Sequence, residues 1–171
     1  MLSRVVAVIK FLGERGLPFR GDDEILGSPH NGNYLGLLEL IAEFDPFLKE
    51  HIEKHGQKGR GKPSYLSSTI CEEFISIMGE KTRNVIAAEI QNAKYFSVIV
   101  DSTPDLSHVD QLTFVFRFVS AEGKVVKRFL GFEPIHSQTG ISLAECVIKM
   151  VRDLGLDLSN CVHCVWNVKL C

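Results

Sequence analysis

The pattern of apolar and polar positions divides the chain into a helical first half and a strand-rich second half. Leu2, Val5, Val6, Ile9 and Leu12 fall on one side of a 3.6-residue period, and Gly13 and Gly16 follow as stop signals, so a short amphipathic helix opens the chain. From Leu17 to Asn33 the sequence is rich in Gly, Pro, Asp and Asn without a sustained period, which predicts a loop. Between Tyr34 and His55 the residues Leu37, Leu38, Ile41, Phe44, Phe47, Leu48 and Ile52 return to helical spacing. Asp45-Pro46 interrupts them. An Asp can cap a new first turn and a Pro at the first helical position lacks only a donor that would be orphaned anyway, so two helices are expected. Gly56 ends the second, and residues 57–63 read as a basic, glycine-rich linker. Thr69 and Glu72 have the spacing of a capping box and open a helix carrying Ile70, Phe74, Ile77, Val85, Ile86 and Ile90, to about Asn92.

After Ala93 the period changes from 3.6 to 2. Tyr95 to Val100 is a β-branched and aromatic run; Gln111 to Ser120 alternates, with Leu112, Phe114, Phe116 and Phe118 on one face; Val125 to Ile135 forms a third strand after the turn Ala121-Glu122-Gly123. An antiparallel meander follows from this order. Ser142 and Glu145 predict a further capped helix whose buried stripe is Leu143, Val147, Val151 and Leu154, closed by Gly155. Residues 162–171 allow one more short strand, with Trp166 read as core. The fold class is α+β: helices, then β-β-β-α.

Composition narrows the function classes without naming one. A hydrophobic content of 45% in 171 residues supports a buried core. The 19 Lys+Arg against 21 Asp+Glu give a net charge of −2, so any contact with nucleic acid must come from a local patch. No apolar run approaches the roughly 20 residues that span a bilayer, so no membrane partner is expected. The five cysteines have no regular spacing, which suits a reducing compartment better than secretion.

Four places invite a chemical reading. Asp101 follows the apolar run Phe96 to Val100 and begins the polar turn Asp101-Ser102-Thr103-Pro104-Asp105. A carboxylate held at a strand end suits a Mg²⁺ ligand, although two-metal phosphoryl transfer needs several. The plainer reading is an Asp that hydrogen-bonds its own turn. Residues 56–63 resemble a phosphate-binding loop but place Pro63 where the metal-binding hydroxyl should be, after a helix instead of a strand, which rejects nucleotide binding. Lys58, Arg60 and Lys62 remain as candidate contacts to a nucleic-acid backbone, against the simpler reading of a solvated connector. His51 and His55 share a helical face but lack a third ligand, and read as an exposed face. Cys161-Val162-His163-Cys164 has zinc-knuckle spacing without a second pair unless Cys171 contributes.

Longer runs carry a family resemblance. The segments at residues 16–24, 37–48 and 65–70, the stretch Val100-Asp101-Ser102-Thr103-Pro104-Asp105 and the stretch at 155–161 resemble the zinc finger MYM-type protein 1-like group, hAT-transposase-derived proteins with a domain of the DUF4371 class. The likeness runs from Met1 through Cys161. It implies an incomplete RNase H-like β-β-β-α unit over residues 93–161, after a helical region over 1–92 and before a divergent tail over 162–171. It also implies that Asp101 corresponds to the first metal-binding aspartate of a Mg-dependent DNA transposase, and that the protein is nuclear.

In the family the strand after Cys161 leads to a Tyr-Asp-Asn-Ala sequence that supplies the second catalytic carboxylate, whereas this chain reads Val162-His163-Cys164-Val165-Trp166-Asn167. The final catalytic glutamate, the carboxy-terminal dimerisation region and the amino-terminal zinc finger have no counterpart here either. The expectation is a truncated, catalytically inert polypeptide that holds no cofactor stably, with Asp101 as the relic of an active site. Its partner is expected to be a protein or DNA, in transcriptional or chromatin regulation. A fragment of an active transposase is the remaining alternative.

Overall fold

The computed structural model describes residues 1–56, 65–104, 110–135, 137 and 139–167, with the backbone alone at 102–104, 110 and 167. The elements run α1 (Leu2–Glu14), α2 (Gly32–Ala42), α3 (Pro46–His55), α4 (Ser68–Ala93), β1 (Phe96–Pro104), β2 (Asp110–Val119), β3 (Val125–Pro134), α5 (Gly140–Asp153), a single 3-10 turn (Leu158–Asn160) and β4 (Cys161–Asn167). Contacts divide the chain into two compact units, Met1–Gly79 and Glu80–Cys171. Lys58, Arg60 and Lys62 lie outside the described residues.

The first unit is helical. Val5, Val8, Ile9 and Leu12 of α1, Leu35 and Leu38 of α2, and Leu48 of α3 meet in one core with Leu66 and Cys71, as the 3.6-residue spacing of apolar positions requires. The break between α2 and α3 is made by Asp45, whose side chain accepts hydrogen bonds from the backbone N–H groups of Phe47 and Leu48 at 3.1 Å, with Pro46 at the first helical position. The segment 17–31 folds back on itself. Asp22 N–H and Asp23 N–H both donate to the His30 carbonyl, at 2.9 and 3.3 Å, and Tyr34 N–H donates to the Phe19 carbonyl at 3.0 Å. Gly21 and Gly32 make this fold-back possible: a Cβ on either would collide with the backbone of the opposite limb, and Gly32 has a φ of +80°.

Two helix starts differ from the capping boxes read in the sequence. At α4 the Ile70 N–H donates to Ser67 Oγ at 3.3 Å, so Ser67 caps the helix and not Thr69. At α5 the cap is Thr139, which accepts from Ser142 N–H at 3.3 Å. In both cases a hydroxyl residue two or three positions earlier reaches the free N–H groups, at Thr139 from an extended backbone, and the predicted partner falls inside the first turn.

The second unit is built on a four-stranded mixed sheet in the order β3-β2-β1-β4. β1, β2 and β3 form the antiparallel meander, turned at Gly123 with φ +76°. β4 runs parallel to β1 on its other side, reached through α5. One face holds the core: Phe96, Val98 and Val100 of β1 with Leu112, Phe114, Phe116 and Phe118 of β2, against Ala87 and Ile90 of α4 and Leu143, Val147, Met150 and Val151 of α5. Gly155 terminates α5 with φ +65°, and Leu156 N–H returns to the Val151 carbonyl at 3.0 Å.

The opposite face shows Ile99, Val115 and Val165 half-buried, with Phe129 and Phe132 at 50% and 57% exposure. Trp166, read as core in the sequence, is 40% exposed. Its strand lies at the edge of the sheet, paired among the described residues with β1 alone. No described helix is long and apolar enough to cross a membrane.

Candidate functional site

Asp101 lies inside β1, not in a turn after it. The strand continues to Pro104, because residues 101–104 pair antiparallel with residues 110–113 of β2. β1 is flanked on both sides, so the carboxylate is presented from the sheet interior and not from an edge. In register, Asp101 stands between Thr113 of β2 and Asn167 of β4. The alternation of the strand places it away from Phe96, Val98 and Val100, with Ser97 and Ile99 on the face that bears Phe129 and Phe132. Asp101 is half-buried, and among the described residues no side-chain hydrogen bond or ion pair engages it.

Among the described residues, the donor set around this position does not fit a two-metal centre. Such a centre requires several carboxylates converging on ions about 4 Å apart. The register neighbours of Asp101 are a threonine and an asparagine. Among the described residues no group of three or more His, Cys, Asp or Glu is placed to hold a metal ion.

The other two metal readings separate in the same way. His51 and His55 lie with ring centroids 4.6 Å apart, tilted by 42°, and are half-buried, so the exposed face expected of them is not what the helix provides. At the start of β4 a bulge opposite Phe96 and Ser97 lets both Cys161 and Cys164 pair with core-facing positions, Phe96 and Val98. Both thiols therefore pack against the core, while His163 pairs with Ser97 and is exposed on the other side. Burial pushes the Cys164 thiol up from its ordinary value, with the Cys161 thiol adding to the effect. Cys161 Sγ–H donates to the His163 carbonyl at 3.5 Å. The knuckle spacing thus yields two core thiols and an outward histidine, not three converging ligands.

A concave feature lies wholly in the first unit, at the segment whose sequence predicts a loop. A cleft of about 270 Å³ is lined by Phe19, Arg20, Asp22, Glu24, Tyr34, Leu66 and Cys71 among others. The Arg20 guanidinium bonds the Glu72 carboxylate of α4, and Tyr34 Oη–H donates to the Tyr65 carbonyl at 3.1 Å. Burial holds the Tyr34 phenol above its ordinary range and pushes the Cys71 thiol up to about 11. The sequence signs of this cleft are Gly21, next to the acidic run Asp22-Asp23-Glu24, and Gly32.

Comparison with known proteins agrees with the β-β-β-α-β arrangement. The chain is 22% identical over 165 residues to the human (Homo sapiens) 52 kDa repressor of the inhibitor of the protein kinase, a match covering 94% of this chain and 21% of that protein. The mouse (Mus musculus) protein of the same name matches with the same identity and coverage. The chain thus spans about a fifth of the length of the curated relatives it matches. Residues 1–164 match the family model described as DUF4371, the ZMYM1/FAM200 RNase-like domain, and with that span the α+β chain, RNase H-like in its sheet, belongs to this family.

Proposed function

We propose that this chain is part of a domesticated, hAT-type transposase-derived protein, that it does not cleave phosphodiester bonds, and that it acts in the nucleus as an interaction module in gene regulation. The observation that carries this reading is the register of Asp101, which has Thr113 and Asn167 beside it, with no second carboxylate grouped with it among the described residues. A single aspartyl ligand leaves the charge of two divalent ions and of the transferring phosphoryl group uncompensated, so in-line displacement has no assembled centre. The regulatory half rests on the relatives, which are named as repressors.

The test is a Mg²⁺-dependent nicking assay on supercoiled plasmid, run on the chain and on Asp101→Ala. Neither protein is expected to nick the plasmid. Cleavage by the unaltered chain that is lost in Asp101→Ala overturns the proposal in favour of an active transposase. Whether the partner is DNA is decided by gel shifts at increasing salt, since phosphate contacts from Lys58, Arg60 and Lys62 would weaken steeply as counterions compete.

A further inference from the structure

We infer that the cleft of the first unit is a binding site for a single arginine or lysine side chain of a polypeptide partner. Its floor and its rim have different chemistry. Tyr34, Leu35, Leu66 and Cys71 form a buried floor. The rim carries Asp22, Glu24 and Glu72, all exposed, and Arg20 is the one basic residue among the described lining residues.

Arg20 is already committed to Glu72. Asp23 is committed too: its carboxylate accepts from the Ser28 hydroxyl at 2.6 Å and from the Ile25 N–H at 2.9 Å, which holds its pKa below the usual range. Asp22 and Glu24 are left. Among the described residues neither forms an ion pair or a side-chain hydrogen bond. Among the described residues the rim therefore presents uncompensated negative charge above a neutral floor, where the Tyr34 phenol and the Cys71 thiol, protonated at neutral pH in any case, are pushed further up by burial.

An arginine or lysine side chain matches this arrangement, with a methylene stem for the apolar floor and a cationic head for the carboxylates. A bare metal ion does not, because the carboxylates sit on the rim and do not converge. The volume of about 270 Å³ is that of a slot for one side chain, below the range of about 300–1,000 Å³ typical of whole small-molecule ligands. The cleft is also preformed. The backbone pairing of residues 19–23 with 30–34, the Gly21–Gly32 approach and the Tyr34–Tyr65 hydrogen bond fix its walls, so little ordering cost falls on the incoming group.

The experiment is a titration of the ¹⁵N-labelled 171-residue chain with acetyl-Gly-Arg-Gly-amide. The matching peptides with norleucine or glutamate in place of arginine serve as controls, with amide shifts as the readout. The arginine peptide is expected to shift residues around 19–24, 34–35 and 66–75, the norleucine peptide more weakly, and the glutamate peptide not at all.

Two variants act in opposite directions. The double variant Asp22→Asn, Glu24→Gln should weaken arginine-peptide binding by about threefold or more, the scale of two exposed charge contacts. Arg20→Ala, which removes the competing cation, should strengthen it. A purely structural role for these exposed side chains would not give opposite signs. Equal binding of the arginine and norleucine peptides overturns the inference, as does indifference to both variants or the absence of any cleft-localised shift.

Discussion

The guanidinium of Arg4 bonds the carboxylate of Asp45 across 41 residues of sequence, and the same carboxylate caps α3. One side chain thus fixes where α3 starts and ties that start to α1. The Arg4 hydrogen bond is the largest cause holding the Asp45 pKa below its ordinary value, followed in the same direction by the cap N–H groups, while desolvation opposes them.

A carboxylate whose folded pKa is depressed contributes stability that is present above its unfolded pKa and lost as pH falls through the folded value. Asp45→Asn should therefore lower the melting temperature of the chain at pH 7. It should also flatten the decline in melting temperature below about pH 4, the ordinary carboxylate range. Thermal melts of both proteins from pH 7 to pH 2 check this. Parallel curves displaced by a constant amount would show that the carboxylate titration is not linked to folding.

Arg117 and Lys127 face each other directly across β2 and β3. Like charges at opposed sheet positions repel, and an opposite pair is worth about 0.2–1 kcal/mol. Lys127→Glu should raise the melting temperature by a degree or a few, and the gain should shrink in high salt. A fall in melting temperature at low salt would mean that Lys127 has an attractive partner on that face.

Much of this architecture was legible because each change of period in the sequence is clean, from helical before Ala93 to alternating in the strands and back to helical at residues 142–154. Leu112, Phe114, Phe116 and Phe118 alternate strictly, and all four are buried on one face of β2. Asp45-Pro46 announced the α2–α3 break through local chemistry alone. What the sequence did not disclose were the features set by pairing between distant residues. The extension of β1 through the polar stretch 101–104 depends on β2 as a partner, so a local reading takes it for a turn. The common facing of Cys161 and Cys164 depends on a bulge that exists only against β1. The cleft depends on Gly21 and Gly32 approaching each other through a loop without periodicity.

The face of the sheet that bears Asp101 also bears Phe129 and Phe132, whose rings lie 4.9 Å apart between centroids. Exposed apolar surface of this kind promotes association. Phe129→Thr combined with Phe132→Thr should reduce binding of a hydrophobic dye and concentration-dependent self-association, while changing the melting temperature little, because both rings are at least half exposed. Light scattering over a concentration series measures the first effect and calorimetry the second. Unchanged scattering would place the sticky surface elsewhere.

Asp101 itself offers the sharpest stability test of its origin. Asp is a poor strand residue, and this one sits between two paired strands with Ile99 and Val100 before it. A side chain retained for structure would hold a bond whose loss costs stability. A relic of a metal site would not, and removing it would relieve a half-buried carboxylate. Asp101→Thr, which supplies a β-branched side chain of similar size, should therefore leave the melting temperature unchanged or raise it. Adding Mg²⁺ should shift neither protein, since a lone carboxylate binds a divalent ion weakly. A melting temperature several degrees lower in Asp101→Thr would assign the carboxylate a structural bond, and a Mg²⁺-dependent rise confined to the unaltered chain would restore Asp101 to a working metal site.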